Sequence, residues 1–256
     1  MSAVRSGGFC VLLFGAASLT GLAGCSDGEK STPQVLHGGT AVEHGAALFH
    51  DPGVVATGLN SYACSTCHEA QVGEAGNAIL TGAPLAGVTK RPSFWGGKEV
   101  ELLRSVNHCL YYFMLSDKAW TAEDVKARAL YAYLESLPAD SAAEQPAPFT
   151  IAYEVKDVSP GDGARGEGLY VNACESCHGP AHTGEGRLVE RAPILPEQTL
   201  TEHPSPTYDD LDRRLVFVEK VRHGGFIGYG GEMPPFSVEK LSDQDLGDIL
   251  TFLGVP

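Results

Sequence analysis

Two short stretches combine residue types and spacing that can do chemistry. Cys64-Ser65-Thr66-Cys67-His68 and Cys174-Glu175-Ser176-Cys177-His178 each set two thiols three positions apart, with an imidazole directly after. That arrangement attaches a c-type haem. Each thiol adds across one vinyl group to form a thioether, and the adjacent imidazole reaches the iron as proximal ligand. Zinc sites and thioredoxin-like redox pairs also use CxxC. Neither needs a histidine immediately afterwards, and here one stands there twice. The spacing predicts two covalently bound haem c groups, held by Cys64 and Cys67 with His68, and by Cys174 and Cys177 with His178.

Each iron then needs its sixth position filled or left open. In the second half Met233-Pro234-Pro235 stands out, between the helix after the loop and the terminal helix. For the first motif two candidates stay open, Cys109 and Met114, with His108 behind them. Residues five apart on an α-helix are turned about 140° from one another. Cys109 and Met114 can therefore face one iron together only if the helix ends between them. No well-spaced acid and base stands near the first motif, so no catalytic residue is assigned.

These groups must be positioned by helices. Ala41 to Phe49 has helical spacing, and Gly166-Glu167-Gly168-Leu169-Tyr170 repeats it before the second motif. Aligning Gly45 with Gly166 sets Leu48 on Leu169 and Phe49 on Tyr170, an internal duplication in which the first copy carries an insert, roughly Asp51 to Ser61. After each motif a loop is expected, Glu69 to Lys90 and Gly179 to Pro206. Helices come next over Lys98 to Leu115 and Tyr208 to Arg222, the latter with Leu211, Leu215, Val218 and Val221 inward. A helix capped by Thr121 with Asp124 runs to Leu137, and a last one capped by Ser242 with Asp245 buries Leu246, Ile249, Leu250 and Leu253. Residues 138–163, rich in Pro, Ala and Ser, read as a linker along one domain, with an apolar patch at Phe149 to Tyr153. The expected fold is all-α, two tandem cytochrome c domains, 41–137 and 164–256, each a small helical bundle around one haem.

The net charge of −14 excludes nucleic acid, because nothing could neutralise a run of phosphates, and suits a basic protein partner. Arg5 and the apolar run Phe9 to Ala23 read as a signal segment, too short to span a bilayer comfortably. Leu22-Ala23-Gly24-Cys25 resembles the bacterial lipobox, which implies that residues 1–24 are a lipoprotein signal peptide, that Cys25 takes the lipid anchor, and that 25–40 is a flexible tether. The mature chain would then sit on the periplasmic side of a bacterial membrane, inner or outer. Of the seven cysteines, Cys10 leaves with the signal and Cys109 is left over.

The order of haem motif, loop, helix, Met-Pro and terminal helix over 164–254 resembles class I cytochromes c, which implies Met233 as thioether ligand. The segment Val106 to Met114 resembles the first domain of di-haem thiosulfate dehydrogenases, which implies a thiolate ligand at Cys109. The residues from Leu48 to Glu69 resemble the first haem motif of MauG-type di-haem peroxidases. The leading expectation is a lipid-anchored di-haem electron carrier between redox protein partners. The alternative is a di-haem oxidoreductase, thiosulfate dehydrogenase-like before peroxidase, with the first haem as active site.

Overall fold

Two glycines decide how the long helices meet. The computed structural model describes residues 39–150, 152–227 and 231–256, so the signal segment, Cys25 and most of the tether lie outside the described residues. Its helices are α1 (Ala41–His50), α2 (Cys64–Cys67), α3 (Leu102–Tyr112), α4 (Val125–Ser136), α5 (Gly163–Ala173), α6 (Glu175–His178), α7 (Glu197–Glu202), α8 (Asp210–Ile227) and α9 (Asp243–Phe252). Among the described residues there is no strand, only an isolated bridge between Phe94 and Glu99. α1 packs on α4, and α5 packs on α9. At the first crossing Gly45 lies on the carbonyl of Ala129, and at the second Gly166 lies on that of Asp248; a Cβ at either glycine would stand 2.0 Å from the oxygen. Four residues further along, the same pairing recurs in the rings. Phe49 meets Tyr133 at 5.6 Å and 47°, and Tyr170 meets Phe252 at 5.7 Å and 48°. A glycine costs a helix about 1 kcal/mol relative to alanine, and here it permits backbone contact that no side chain could.

The helix ends obey capping chemistry. Thr40 and Glu43 form a capping box on α1, and Ser242 and Asp245 form the expected one on α9. Leu246, Ile249, Leu250 and Leu253 are all buried as the spacing predicts, each burial stabilising by about 1.5–3 kcal/mol before entropy is counted. Asp248, fully buried on α9, accepts from the Asp162 N–H at 2.7 Å and from Gln244 at 2.9 Å, and pairs with Arg165.

Several boundaries differ from expectation. Thr121 is not the cap of α4. Asp124 is, and its carboxylate reaches back to the Thr121 N–H at 2.6 Å, so the helix begins at Val125. α3 starts at Leu102 because Phe94 to Lys98 make a tight turn, with Glu99 accepting from the N–H groups of Val100 and Glu101. Leu211 is 43% exposed rather than inward, since α8 begins only at Asp210 and its first turn stands clear of the core. The insert at Asp51 to Ser61 is structured. Val54 and Val55 are buried, Lys126 donates to the Val54 carbonyl, and Asn60 bonds the carbonyls of Pro52 and Tyr62.

The two halves belong to one compact unit. The Ile79 N–H bonds the Asn172 carbonyl at 2.8 Å, Arg191 reaches the Leu59 carbonyl, and Trp95 stacks on Phe226 at 4.9 Å and 15°. The glycine crossings yield a paired expectation. Gly166→Ala should lower stability by about 1–3 kcal/mol through overpacking. Gly168→Ala, two residues on and open to solvent, should raise it by about 0.5–1 kcal/mol. Denaturant midpoints of the haem-loaded protein measure both.

Candidate haem-binding cavities

Each CxxCH motif is a single helical turn, and the chain beyond that turn fixes the imidazole. After α2 the chain turns back so that the N–H groups of Gly82, Leu85 and Ala86 bond the carbonyls of Cys67, Glu69 and Ala70. Gly82 lies flat against the His68 ring, where a Cβ would come within 2.3 Å of Nδ1. His68 Nδ1 then stands 2.8 Å from the Ala83 carbonyl, and His178 Nδ1 stands 3.0 Å from the Pro193 carbonyl, each carbonyl fifteen residues after its histidine. A carbonyl only accepts, so Nδ1 carries the proton and Nε2 keeps its lone pair. Burial lowers the pKa of both histidines, against the favourable carbonyl bond. Both are therefore neutral, the state that a metal ligand requires.

Two cavities meet these imidazoles. Cys64, Cys67, His68, Cys109 and Met114 all line the first; Cys174, Cys177, His178 and Met233 all line the second. The second is the roomier, about 800 Å³ against about 190 Å³, and Trp95, Phe113 and Phe149 help to wall the first. None of the five described cysteines is in a disulfide. Burial pushes the thiols up, to about 11 at Cys64 and about 12 at Cys67 and Cys174. Two protonated thiols and a neutral imidazole on one wall of an apolar cavity are the donor set that covalent haem needs, and both cavities fit that group.

Met233 is placed by backbone contact. Gly224 takes φ 55° and breaks α8, and the Gly225 N–H bonds the Met233 carbonyl at 2.7 Å. A Cβ at Gly224 would stand 2.2 Å from that carbonyl. Buried Arg222 clamps the segment after Met233, donating to the carbonyls of Phe236 and Leu241 and pairing with Asp243 at 2.6 Å.

In the first cavity the helix does end between its two candidates. α3 stops at Tyr112, the Met114 N–H reaches back to the Cys109 carbonyl at 3.2 Å, and Leu115 takes φ 56°. Cys109 and Met114 consequently line one cavity, whereas His108 is not among its lining residues. Burial, and after it the neighbouring Cys67 and Cys64, drives the Cys109 thiol upward. Met114 precedes Ala129, the contact of Gly45, by fifteen residues, and Met233 precedes Asp248, the contact of Gly166, by the same fifteen. Asn107 braces the loop after Met114 by bonding both the N–H and the carbonyl of Trp120.

Sequence reasoning missed the parts that join the halves. Tyr62, Cys67, Thr81 and Pro234 line both cavities. The supposed linker is a strap, with Ala147, Pro148 and Phe149 on the first cavity and Val158 in the core of the second half. Pro234, Pro235 and Lys240, all from the second half, also line the first cavity. The apolar Phe149 to Tyr153 patch is the cue that set the linker along one domain, but it does not say which cavity the segment covers.

Residues 161–253, about a third of the chain, match the family model described as cytochrome C oxidase, cbb3-type, subunit III. No curated protein matches the chain. The matched span holds α5 to α9, its CxxCH motif and Met233, and it is a cytochrome c domain, a module that carries covalent haem c and serves electron transfer.

The strap gives an acid response. Its Thr150 donates to Glu239 through both hydroxyl and N–H. Burial opposes the charge on Glu239, but these bonds and one from Ser237 outweigh it and bring its pKa to about 2 from 4.5. A depressed carboxylate pKa stabilises above the unfolded value and loses that contribution as pH falls through the folded one. The strap should therefore loosen between pH 4.5 and about 2. Hydrogen exchange at residues 147–150 should show this step in the wild type and lose its pH dependence in Thr150→Val.

Proposed function

With a cytochrome c domain over residues 161–253 as premise, we propose that the whole chain is a two-haem electron relay, tethered by lipid on Cys25 to the periplasmic side of a bacterial membrane. The observation that carries this reading is the common wall of the two cavities, since Cys67, a thioether donor of the first site, also lines the second. The repeated helix crossing supports a second cytochrome c module over residues 41–137. Haem c in either cavity supplies a one-electron iron couple. Cys64 and Cys67, and Cys174 and Cys177, hold the group covalently; His68 and His178 present Nε2 to it. Met233 offers a thioether from the opposite loop, and a thioether ligand raises the potential. Met114 takes the matching place in the first cavity, on the equal fifteen-residue spacing to the helix crossing. The apolar walls exclude water, which keeps reorganisation on electron transfer small.

Partners should be basic redox proteins. The lining of the second cavity carries the exposed carboxylates of Glu190, Glu197 and Glu202, with Glu232 paired to Arg191, and the chain as a whole is at −14. Such a surface steers a basic partner, and the association weakens with salt.

A second reading has one observation in its favour. Cys109 lines the first cavity beside Met114, and a thiolate there would suit sulfur oxidation, with the first haem as the active site of a thiosulfate dehydrogenase-like enzyme. Low-temperature EPR of the oxidised protein separates the two. The relay expects two haems per chain, a signal altered by Met114→Leu, and none altered by Cys109→Ser. A thiolate-type low-spin signal lost in Cys109→Ser would move the assignment to Cys109 and favour the enzyme. After flash reduction, exchange between the two haems should proceed at a rate independent of protein concentration; a rate that climbs with concentration would sink the relay.

A further inference from the structure

The first cavity carries an electrical asymmetry that its own half does not explain. Among the described residues lining it there are two cationic side chains, Arg91 and Lys240, and no Asp or Glu. This occurs in a chain with fourteen more acidic than basic groups. The second cavity has the opposite balance, with four glutamates among its lining residues against Arg191 and Lys220. Unbalanced cations facing an apolar cavity are costly unless an anion meets them there.

The two cations are held differently. Arg91 spends three N–H groups on backbone, donating to the carbonyls of Ala143, Pro84 and Ala86. Its guanidinium is locked in the wall, half-buried. Lys240 comes from the second half. Its backbone is fixed by the Ser237 carbonyl and by Leu241, which is buried and held by Arg222. The neighbouring Glu239 turns its carboxylate to Thr150 of the strap, so it does not neutralise Lys240. Among the described residues the Lys240 ammonium makes no hydrogen bond and no ion pair. It nonetheless lines the same cavity as Arg91.

We propose that Lys240, with Arg91, forms an anion-binding edge of the first cavity that receives the carboxylates of the haem bound there, so that a residue of the second half sets the charge environment of the first haem. This rests on the two-haem reading above. Two carboxylates on the haem answer two cations on the wall, Arg91 and Lys240, the cationic side chains among the described residues lining the cavity. A positive charge at that edge favours the reduced, more negative state of the iron site, so the second half holds the first haem at a higher potential than its own half would. The shared chemistry is an anionic oxygen, and a small external oxyanion such as sulfite or thiosulfate could supply it too.

Spectroelectrochemistry of the full-length haem-loaded protein, in buffer free of sulfur oxyanions, tests this. Haem content by pyridine haemochrome comes first, and two haems per chain are expected in the wild type, Lys240→Gln and Lys240→Arg. The wave of the second haem is identified as the one lowered by Met233→Leu. In Lys240→Gln the other wave should fall by about tenfold in the reduced-to-oxidised ratio at fixed ambient potential, which is about 59 mV for a one-electron couple. Lys240→Arg should keep the wild-type value. Waves that stay in place in Lys240→Gln, with two haems present, overturn the assignment of Lys240 and leave the two-haem reading standing. A saturable spectral response to sulfite or thiosulfate in the wild type, absent from Lys240→Gln whose oxyanion-free potential is unchanged, assigns the cations to an external anion and also overturns it. One haem per wild-type chain removes both readings together.

Discussion

The close crossing of helices at glycine is the constraint on which the other features depend. With Gly166 against the carbonyl of Asp248, α5 and α9 approach backbone to backbone. The CxxCH turn at the end of α5 and the loop that precedes α9 are then fixed to opposite sides of one space. α5 delivers Cys174, Cys177 and His178, while α9, through Ser242, Leu241 and the clamp of Arg222, anchors the loop that carries Met233. A larger residue at either glycine would push the helices apart and change the distance between the two walls. The same device at Gly45 and Ala129 ties α1 and the first motif to α4 and the loop of Met114. The equal spacing from each methionine to its crossing point is a consequence of geometry, because the loop must span the same gap each time.

What distinguishes this chain from two such units on a string is the way they share surface. Ile79 packs against the core of the second half, and Val189 belongs to the core of the first, with Cys177 and Phe226 packed against it. Tyr62 is buried between the motifs, where burial and the nearby Cys177 and Cys67 hold its phenol firmly neutral. The insert at Asp51 to Ser61 makes this possible, since its Val54 and Val55 fill the first core, Asn60 sets the turn into Tyr62, and Leu59 meets Arg191. The insert, read as an irregularity in an otherwise regular duplication, is therefore part of the joint.

Legibility in the sequence tracked the range of the interactions. The thiol pairs, the histidines and the cap of α9 depend on neighbours within a turn or a loop, and composition with spacing was enough to locate them, whereas Met233 came from the resemblance of the second half to class I cytochromes c. The all-α fold came from apolar periodicity. The cap of α4 was misplaced because Thr121 and Asp124 form half of a capping box with the roles shifted, a difference that local pattern does not carry. Leu211 satisfied the helical stripe but lies beyond the core edge. Arg222 was invisible as a clamp, since a cation at the end of an amphipathic helix is ordinarily solvated. The strap was legible as a linker lying along one domain, but Pro- and Ala-rich composition does not tell which cavity such a segment covers or that it also enters the core of the other half.

On the two-haem reading proposed above, the electrostatics of the two cavities would give the assembly a direction. Cations at the first and carboxylates around the second would act on iron sites in opposite senses, since positive charge favours the reduced state and negative charge the oxidised one. Ligand type alone would set the two potentials close together if both sites used a thioether. Charge would separate them without altering a single ligand, and would do so across the joint, because Lys240 belongs to one half and lines the cavity of the other. A substitution in the second half that leaves its own cavity intact would then alter the first, and the halves would be coupled in function as they are in packing. On that reading the acidic side chains of the second cavity would serve two ends together, drawing a basic partner toward that edge and making the site there the easier one to oxidise. Packing two haem cavities against a common wall would let charge, rather than distance, decide which way an electron runs.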